Sequence, residues 1–384
     1  MAGNIIHNTT ENPSLDSSPF NLEVSLNGAY PVYETIKQQR DNPPSGDPYI
    51  GSFYAAFIEH LEAGHTGAIE LLQGVNSIRK LTPALHTNLL FRAFQATLIN
   101  SSGYPEVYDT PEAWSGIMDS YFDDPSAFNL LFETLANKTT TTTVFQRYAG
   151  ERAVMAYISR GKSVKVADLA CGGNYGLPGI SLGLEFSNIK DDTPTQFITD
   201  YINRPLNISE ALAIDMNNPY EPSEVAWRHS CGIYPSELLR GGLDELLELE
   251  QILSTDSLTK FHEANILDAD SIHRLLGGNC DFILLNTMLY QLSEENQLRA
   301  IQIAKKALSP TGWLLVQDFA QKRTDDSSKL DFQVNWGVKG NYRLFGLRPD
   351  DNAIYELIRW NNSRCKQAEA GIDLMTVLEE HRSS

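Results

Sequence analysis

The residues with the clearest chemical potential stand between residues 163 and 179, where a β-branched run ends in Asp168 and enters a glycine-rich turn. Such a run predicts a buried strand, and its glycines mark a place where the backbone closely approaches another group. A loop that opens a helix also presents unpaired backbone N–H groups, which a polar ligand can occupy. We therefore interpret this stretch as a loop that holds a cofactor.

The spacing within the loop disfavours one class of cofactor. A dinucleotide site has the pattern G-x-G-x-x-G here, with an acid about 20 residues further on. In this chain Tyr175 stands at the third glycine position, and the next acid at the end of a predicted strand, Asp215, follows only after a long polar insertion. A nucleotide-dependent oxidoreductase is therefore the weaker interpretation.

The loop instead resembles the first motif of the class I S-adenosylmethionine-dependent methyltransferases, in which an acid is followed by alternating glycines. Asp168 and Gly172 match this motif, whereas Ala170 and Asn174 replace its first and third glycines. Four further segments follow in the order that the family has. They are 213–216 as the second strand with its ribose-binding acid, 263–268 beside the adenine, 280–292 as the fourth strand and its turn, and 307–318 as the turn and strand that come next.

The resemblance implies an S-adenosylmethionine-dependent methyltransferase with S-adenosyl-L-methionine as its cofactor. Gly172 and Gly173 would let the backbone approach the amino-acid end of the cofactor, Asp168 would lie near that end, and Asp215 would accept hydrogen bonds from the ribose. Capping of helix N-termini is the alternative role for the two acids, and Asn265 could simply turn the chain. The predicted cofactor-binding residues are Tyr148, Asp168, Ala170, Cys171, Gly172, Gly173, Asn174, Asp215, Met216, Asn265, Ile266, Leu267, Asn286 and Thr287.

No catalytic residue is assigned from the sequence. Methyl transfer is an in-line displacement, so positioning supplies much of the rate, and a base is needed only when the nucleophile is protonated. Tyr290 and His229 are weak candidates for such a base because they stand near the ends of predicted strands, as do His262 and Asp318. For each of them, core packing or a place on the solvated surface is favoured over catalysis.

The composition excludes several partners. With 30 Lys and Arg against 49 Asp and Glu, the net charge is −19, which repels nucleic-acid phosphates in the absence of a basic groove. The chain contains no apolar run long enough for a bilayer and no apparent export signal, so we expect no membrane partner and a cytoplasmic location. Four separated cysteines without a CxxC pair, and histidines without a ligand-like spacing, predict free thiols and no metal.

The predicted secondary structure changes near residue 163, from helices alone to alternating strands and helices that must position the loop. Strand patterns at 164–169, 211–215, 259–263, 282–285 and 313–317 are separated by helical patterns such as 235–253, 269–276 and 294–308. This alternation predicts an α/β fold with ligands at the carboxyl ends of the strands. Together with the resemblance, this implies a Rossmann-like, mostly parallel, seven-stranded sheet with helices on both faces. Two late segments, 342–346 and 354–360, could form an antiparallel hairpin that completes a mixed sheet.

Before this point the chain is predicted to be helical. Apolar periodicity predicts helices at 49–61, 68–80, 82–100, 111–122, 125–137 and 144–160, and the threonine run 139–143 predicts a turn between two of them. We expect an irregular N-terminal arm (1–48), a helical region (49–150) and an S-adenosylmethionine-binding domain (151–384). The helical region would serve as a lid, a substrate pocket or the interface of a homodimer.

These observations predict a methyltransferase that acts on a small molecule, in specialised metabolism. Two alternatives with the same cofactor remain open. One is a protein methyltransferase, and the other is a catalytically silent S-adenosylmethionine-binding partner protein.

Overall fold

The computed structural model describes residues 21–322, 334–338, 341–350 and 352–382. Its helices are α1 (Leu22–Leu26), α2 (Tyr30–Asp41), α3 (Pro48–Glu62), α4 (Thr66–Ile78), α5 (Pro83–Leu98), α6 (Pro111–Asp123), α7 (Pro125–Asn137), α8 (Ala149–Ser159), α9 (Gly176–Ser181), α10 (Phe197–Tyr201), α11 (Pro222–Gly232), α12 (Pro235–Leu238), α13 (Gly242–Leu253), α14 (Ala269–Leu276), α15 (Glu294–Lys306) and α16 (Leu374–Arg382). Its strands are β1 (Ser163–Leu169), β2 (Lys190–Asp192), β3 (Asn207–Asp215), β4 (Thr259–Glu263), β5 (Cys280–Asn286), β6 (Leu308–Lys322), β7 (Val334–Trp336), β8 (Tyr342–Leu347), β9 (Ile354–Trp360) and β10 (Gln367–Ala370).

The strands form one mixed sheet in the order β2-β10-β9-β8-β6-β5-β1-β3-β4, with β7 paired to β6. Five neighbouring strands of this order, β6, β5, β1, β3 and β4, are parallel to one another. Beside them, β8 and β9 form the predicted antiparallel hairpin. The prediction of seven strands was wrong, because the described sheet has ten. The chain after β9 folds back as β10, the insertion after β1 supplies β2 as its parallel partner, and β7 pairs with the far end of β6.

The central parallel strands are buried because their apolar residues face helices on both sides of the sheet. Every residue from Phe282 to Asn286 of β5 is buried, and so are the last four residues of β1. Because β1 pairs with β3 and with β5 in parallel, Leu169, Asp215 and Asn286 end at the same edge. This edge is where a ligand site is expected in an open α/β sheet.

The helical region has an aromatic core that continues into the sheet domain. The ring centroid of Phe53 lies 5.3 Å from that of Phe91 and 5.0 Å from that of Trp114. Trp227 of α11 belongs to the same apolar cluster, and Gln95 of α5 donates to the carbonyl oxygen of Ser230 in α11 at 2.9 Å. The helical region is therefore packed against α11, the helix that follows β3.

Three local predictions need correction. The irregular arm was wrong for residues 22–41, since α1 and α2 form there and bury Val32 and Ile36; residues 1–20 lie outside the described part. The predicted helix 235–253 is divided into α12 and α13 at Gly241, whose φ of +85° interrupts the helical path. The predicted helix 144–160 begins with a 3₁₀ turn (Phe145–Tyr148) before α8.

No helix in the described ranges combines the length and apolar character that a membrane span requires. All four cysteines are free thiols, and Cys171, Cys280 and Cys365 are buried.

Candidate functional site

The loop after β1 takes a left-handed backbone conformation at every second residue. Ala170, Gly172 and Asn174 have φ of +59°, +59° and +56°. Left-handed conformations are easily adopted by Gly and are tolerated by Asn, whereas they cost other residues roughly 1–2 kcal/mol. The loop therefore follows an alternating path in which the two residues that replace glycines take positive φ, with strain concentrated at Ala170.

Replacing Ala170 with glycine should therefore stabilise the protein. We expect Ala170→Gly to raise the free energy of unfolding by about 0.5–1 kcal/mol, because glycine takes positive φ without strain. Denaturant unfolding followed by circular dichroism measures this change. The matched control is Ala55→Gly in the middle of α3, which should cost about 1 kcal/mol. A loss of stability of similar size in both variants would contradict the assigned strain.

The threonine run crosses this loop as an extended segment, which we call the threonine strap (residues 139–143). The backbone N–H of Gly173 donates to the carbonyl oxygen of Thr142 at 2.8 Å. A Cβ on Gly172 would lie 2.7 Å from the backbone nitrogen of Thr142 and 2.8 Å from its carbonyl oxygen. The close approach that the sequence predicted for Gly172 is thus made by the strap, which lies over the loop instead of forming a simple turn.

Asp168 is buried at the end of β1 beside Tyr148. The Tyr148 hydroxyl donates to Oδ2 of Asp168 at 2.8 Å, whereas Oδ1 is buried without a hydrogen-bond partner among the described residues. Burial raises the pKa of Asp168 to about 8, the charge of Asp215 adds to this increase, and the bond from Tyr148 opposes it. The carboxyl group thus has an open acceptor position in the interior.

Asp215 joins the end of β3 to the loop. Its Oδ2 accepts the backbone N–H of Gly172 at 2.8 Å, and its Oδ1 accepts the backbone N–H of Asn217 at 3.2 Å. Burial raises the pKa of Asp215, and these backbone donors oppose that effect. Each oxygen retains a lone pair that a hydroxyl-bearing ligand can reach.

Asp215, the loop after β1 and the strap border a cavity of about 350 Å³, which we call the loop cavity. Its walls come from the strap, the loop after β1, the ends of β3 and β4 and the turn after β5. The predicted residues that line it are Ala170, Gly172, Asp215, Met216, Asn265, Ile266, Leu267 and Thr287. Asn265 is exposed, and its side-chain oxygen accepts the N–H of Leu267 at 2.9 Å, so it also turns the chain as the alternative role suggested.

The other predicted cofactor residues lie behind the cavity wall. Asn286 is buried and donates to Oε1 of Glu151 at 2.9 Å, while its Oδ1 accepts from the hydroxyls of Thr287 and Tyr342 at 2.7 and 3.0 Å. This network fixes the turn that carries Thr287 into the cavity. Tyr148, Asp168, Cys171, Gly173, Asn174 and Asn286 are absent from the residues that line it.

The two weak catalytic candidates have different environments. His229 is buried in α11, where Nε2 lies 3.1 Å from Oε2 of Glu250, and the structure does not bring it to the cavity. The hydroxyl of Tyr290 lies 2.7 Å from Oγ1 of Thr140 in the strap. Burial raises the pKa of Tyr290 to about 12, which makes its phenolate scarce at neutral pH. Within the described ranges, no group of three or more His, Cys, Asp or Glu side chains could hold a metal.

Sequence reasoning missed part of the cavity wall. The strap has no periodicity of its own, and only its position directly before the helix that enters β1 could have indicated a role. The lining residues without a prediction are Arg79, Asn137, Lys138, Thr139, Thr140, Thr141, Thr142, Asn217, Pro219, Glu224, Trp227, Arg228, Met288, Gln291 and Leu292.

No protein-family model matches the chain, and no curated protein matches it. Among solved structures, it is similar to the N-methyltransferase NodS from Bradyrhizobium japonicum WM9 in complex with S-adenosyl-L-homocysteine, at 16% identity over 46% of this chain and 62% of that one, with a TM-score of 0.25. An O-methyltransferase family protein from Burkholderia thailandensis is 15% identical over 81% of this chain and 83% of its own, with a TM-score of 0.27. The 1,6-didemethyltoxoflavin-N1-methyltransferase from the same organism, with bound S-adenosylhomocysteine, is 12% identical over 69% and 73%, with a TM-score of 0.24. All three are named as methyltransferases.

Two of the three structures contain S-adenosylhomocysteine, the demethylated product of S-adenosylmethionine. The chain spans less than two thirds of the length of four of the similar solved structures, with shares that run from 26% to 65% of those chains. None of the three named structures has a TM-score above 0.27, so we base the function on the geometry of the site.

Proposed function

We propose that this protein is a class I methyltransferase that transfers a methyl group from S-adenosyl-L-methionine to a small molecule. The observation that carries this proposal is the position of Asp215. Its carboxylate lies at the end of the strand beside β1, is bonded to the loop at Gly172 and borders a cavity of about 350 Å³. This volume is within the roughly 300–1,000 Å³ of small-molecule sites.

The residues around the cavity fit the parts of this cofactor. Asp215 would accept the ribose hydroxyls, and Ile266 and Leu267 would pack on the adenine. Asp168 lies behind the cavity wall and has one buried oxygen without a hydrogen-bond partner among the described residues, and the ammonium group at the amino-acid end of the cofactor would satisfy it. Met216, which is 59% exposed at the cavity wall, would cover the nucleoside from the other side.

When bound, S-adenosylmethionine supplies an electrophilic methyl carbon on a positively charged sulfur for an in-line nucleophile. The residues of this chain would bind and orient both reactants, which accounts for much of the rate of such displacements. The strap and the turn carrying Thr287 would exclude water from the reacting end. With its pKa raised to about 12, Tyr290 suits hydrogen bonding to the acceptor better than removal of its proton.

Enclosure of the site supports a small acceptor over a protein. The apolar core of the helical region contacts Trp227 and Tyr290, and the hydroxyl contact between Tyr290 and Thr140 joins the strap to the turn after β5. A protein side chain would have to enter between these elements. The place of the reaction in specialised metabolism remains a prediction.

Transfer of a tritiated methyl group tests this function. The protein is incubated with methyl-labelled S-adenosylmethionine and an extract of the cells that make it, and the products are separated by size. We expect label in the small-molecule fraction. Label confined to the protein fraction would indicate a protein methyltransferase, and cofactor binding with no label in either fraction would indicate a silent binding protein.

The raised pKa of Asp168 predicts proton release when the cofactor product binds. At pH 6.5 the carboxyl, with a pKa of about 8, is mostly protonated in the free protein, and an ammonium group at its open oxygen would favour the ionised form. Binding of S-adenosylhomocysteine should therefore release up to about one proton. Calorimetry at this pH in phosphate and in imidazole buffer measures the release from the difference in apparent enthalpy.

The protonation argument has a matched control. Asp168→Asn cannot release the proton, so its binding enthalpy should not depend on the buffer. For the protein without ligand, the raised pKa means that this group stabilises the fold at low pH and that its contribution declines as the pH rises through about 8. Equal enthalpies for the wild type in both buffers would contradict the proposed role of Asp168.

A further inference from the structure

A group of arginine and tyrosine side chains lies near the strap and does not contribute to the lining of the loop cavity. We call it the arginine–tyrosine cluster, and it consists of Arg92, Arg147, Tyr234, Tyr290 and Arg364. The Arg92 guanidinium carbon lies 4.6 Å from the Tyr234 ring centroid, and that of Arg364 lies 5.0 Å from it. In a chain of net charge −19, two guanidinium groups therefore flank one phenol. Burial lowers the pKa of Arg364, and the nearby charges of Arg147 and Arg92 add to this decrease.

Two of these arginines have guanidinium groups that are already hydrogen-bonded to other groups of the protein. Arg92 donates to the carbonyl oxygens of Ser230 and Ile233 at the end of α11. Arg364 donates to Oε2 of Glu237 at 2.8 Å and to the carbonyl oxygen of Gly232 at 3.3 Å. Both therefore hold the wall of the cluster together.

Arg147 differs from them. Its Nε donates to the carbonyl oxygen of Ser363 at 3.1 Å, and neither terminal nitrogen has a hydrogen bond or ion pair to another described residue. Arg147 is partly exposed. Burial lowers its pKa, but the summed influence of Tyr342, Cys365 and two further tyrosines raises it above its usual value. A partly exposed guanidinium whose terminal nitrogens have no described partner leaves space beside it for an anionic group.

The backbone of Arg147 places this guanidinium near the reacting end of the proposed site. Its carbonyl oxygen accepts hydrogen bonds from Asn286 at the end of β5, at 3.4 Å, and from Gln317 of β6. The next residue, Tyr148, bonds to Asp168. Arg147 therefore lies above the carboxyl ends of β1, β5 and β6, where an acceptor would meet the amino-acid end of the cofactor.

The other walls of this space are aromatic and have little opposing charge. Tyr290 and Phe319 keep accessible surface, and their ring centroids lie 5.6 Å apart in an edge-to-face arrangement. Burial raises the pKa of Glu151 well above its usual range, so this acid is protonated at neutral pH, and it raises the pKa of Asp318 to about 7. Glu151 therefore does little to neutralise Arg147, and Asp318 is only partly ionised at neutral pH.

Building on the proposed function, we infer that the methyl acceptor is a small aromatic anion whose carboxylate or equivalent group is bound by the guanidinium of Arg147 while its ring lies against Tyr290 and Phe319. The planar guanidinium binds a carboxylate through two parallel hydrogen bonds. The strap then separates the nucleoside of the cofactor from the acceptor, with Tyr290 and Thr140 at their boundary.

Fractionation by charge tests this inference. The small-molecule extract is divided by anion exchange into bound and unbound fractions, and each is incubated with protein and methyl-labelled S-adenosylmethionine. We expect the label in products of the bound, anionic fraction. Label only in the unbound fraction would overturn the anionic acceptor and leave the methyltransferase standing, whereas label in neither would contradict both the enzyme and this inference.

Variants of Arg147 test its role with the labelled anionic fraction as acceptor. Arg147→Gln should raise the KM for the acceptor about 10- to 100-fold while S-adenosylhomocysteine binds as to the wild type, and Arg147→Lys should restore part of the loss. The matched control is Arg160→Gln, at an exposed position after α8, which should change neither value. An unchanged KM in Arg147→Gln would overturn the assignment, and so would an equal loss of acceptor and cofactor binding, which indicates a structural role.

Discussion

Replacing Asp215 with alanine is expected to weaken the binding of S-adenosylhomocysteine by about 30- to 100-fold. Hydrogen bonds to a charged group contribute roughly 1.5–3 kcal/mol, and the substitution removes the proposed acceptor for the ribose together with the acceptor for the Gly172 N–H. Both losses concern the same wall of the loop cavity. Isothermal titration calorimetry with wild type and variant measures the ratio of dissociation constants.

Two controls separate binding from folding in this experiment. Asp215→Asn keeps an oxygen for the Gly172 N–H and should lose less affinity than Asp215→Ala. Asp109→Ala removes an exposed acid of the helical region and should bind as the wild type does. Wild-type affinity in a folded Asp215→Ala protein would contradict the position assigned to the ribose.

The second large effect is expected for Gly172→Ala, which should reduce the free energy of unfolding by about 3 kcal/mol. An alanine at φ of +59° is strained by roughly 1–2 kcal/mol, and its Cβ would lie 2.7 Å from the backbone nitrogen of Thr142, a clash that typically adds about 1–3 kcal/mol. Because backbone cannot move aside like a flexible side chain, the strap should shift. Urea unfolding measures the loss, and cofactor affinity should fall with it.

Gly183 provides the matched control for this change. Its φ is +71°, and no other atom lies within 4 Å of a Cβ built there. Gly183→Ala should therefore cost only about 1 kcal/mol, from backbone strain alone. If the two variants lose equal stability, the strap does not press on Gly172 as the structure indicates.

The positions of the candidate-site residues at the ends of apolar strands could be predicted from the sequence. The run 164–169 and the acids Asp168 and Asp215 were predictable because buried parallel strands are continuous apolar segments and their carboxyl ends share one edge of the sheet. Tyr148 was predicted near the cofactor by its place before β1, and its hydroxyl contacts Asp168.

Other features depend on contacts between distant parts of the chain. Strands β2 and β10 have three and four residues and are too short and polar to show a strand pattern, so the sheet was predicted too small. The division between α12 and α13 had a local signal in Gly241 and Gly242 that the apolar spacing on either side concealed. The strap could not be predicted because its position is set by the loop, through the bond from Gly173 to Thr142.

The arginine–tyrosine cluster shows the same limit more clearly. Arg92, Arg147 and Arg364 come from three separate segments and are brought together only by the packing of α5 and the turn after β9 against α11. Scattered basic residues in an acidic sequence gave no indication of a cationic interior site. Its charge follows from the fold and not from any motif.

The most direct test of the central claim is a calorimetric titration of the wild-type protein with S-adenosylhomocysteine and, separately, with NAD⁺. The position of Asp215, the left-handed loop and the open oxygen of Asp168 predict saturable binding of S-adenosylhomocysteine with one molecule per chain and no binding of NAD⁺. Binding of NAD⁺ without binding of S-adenosylhomocysteine would contradict the account.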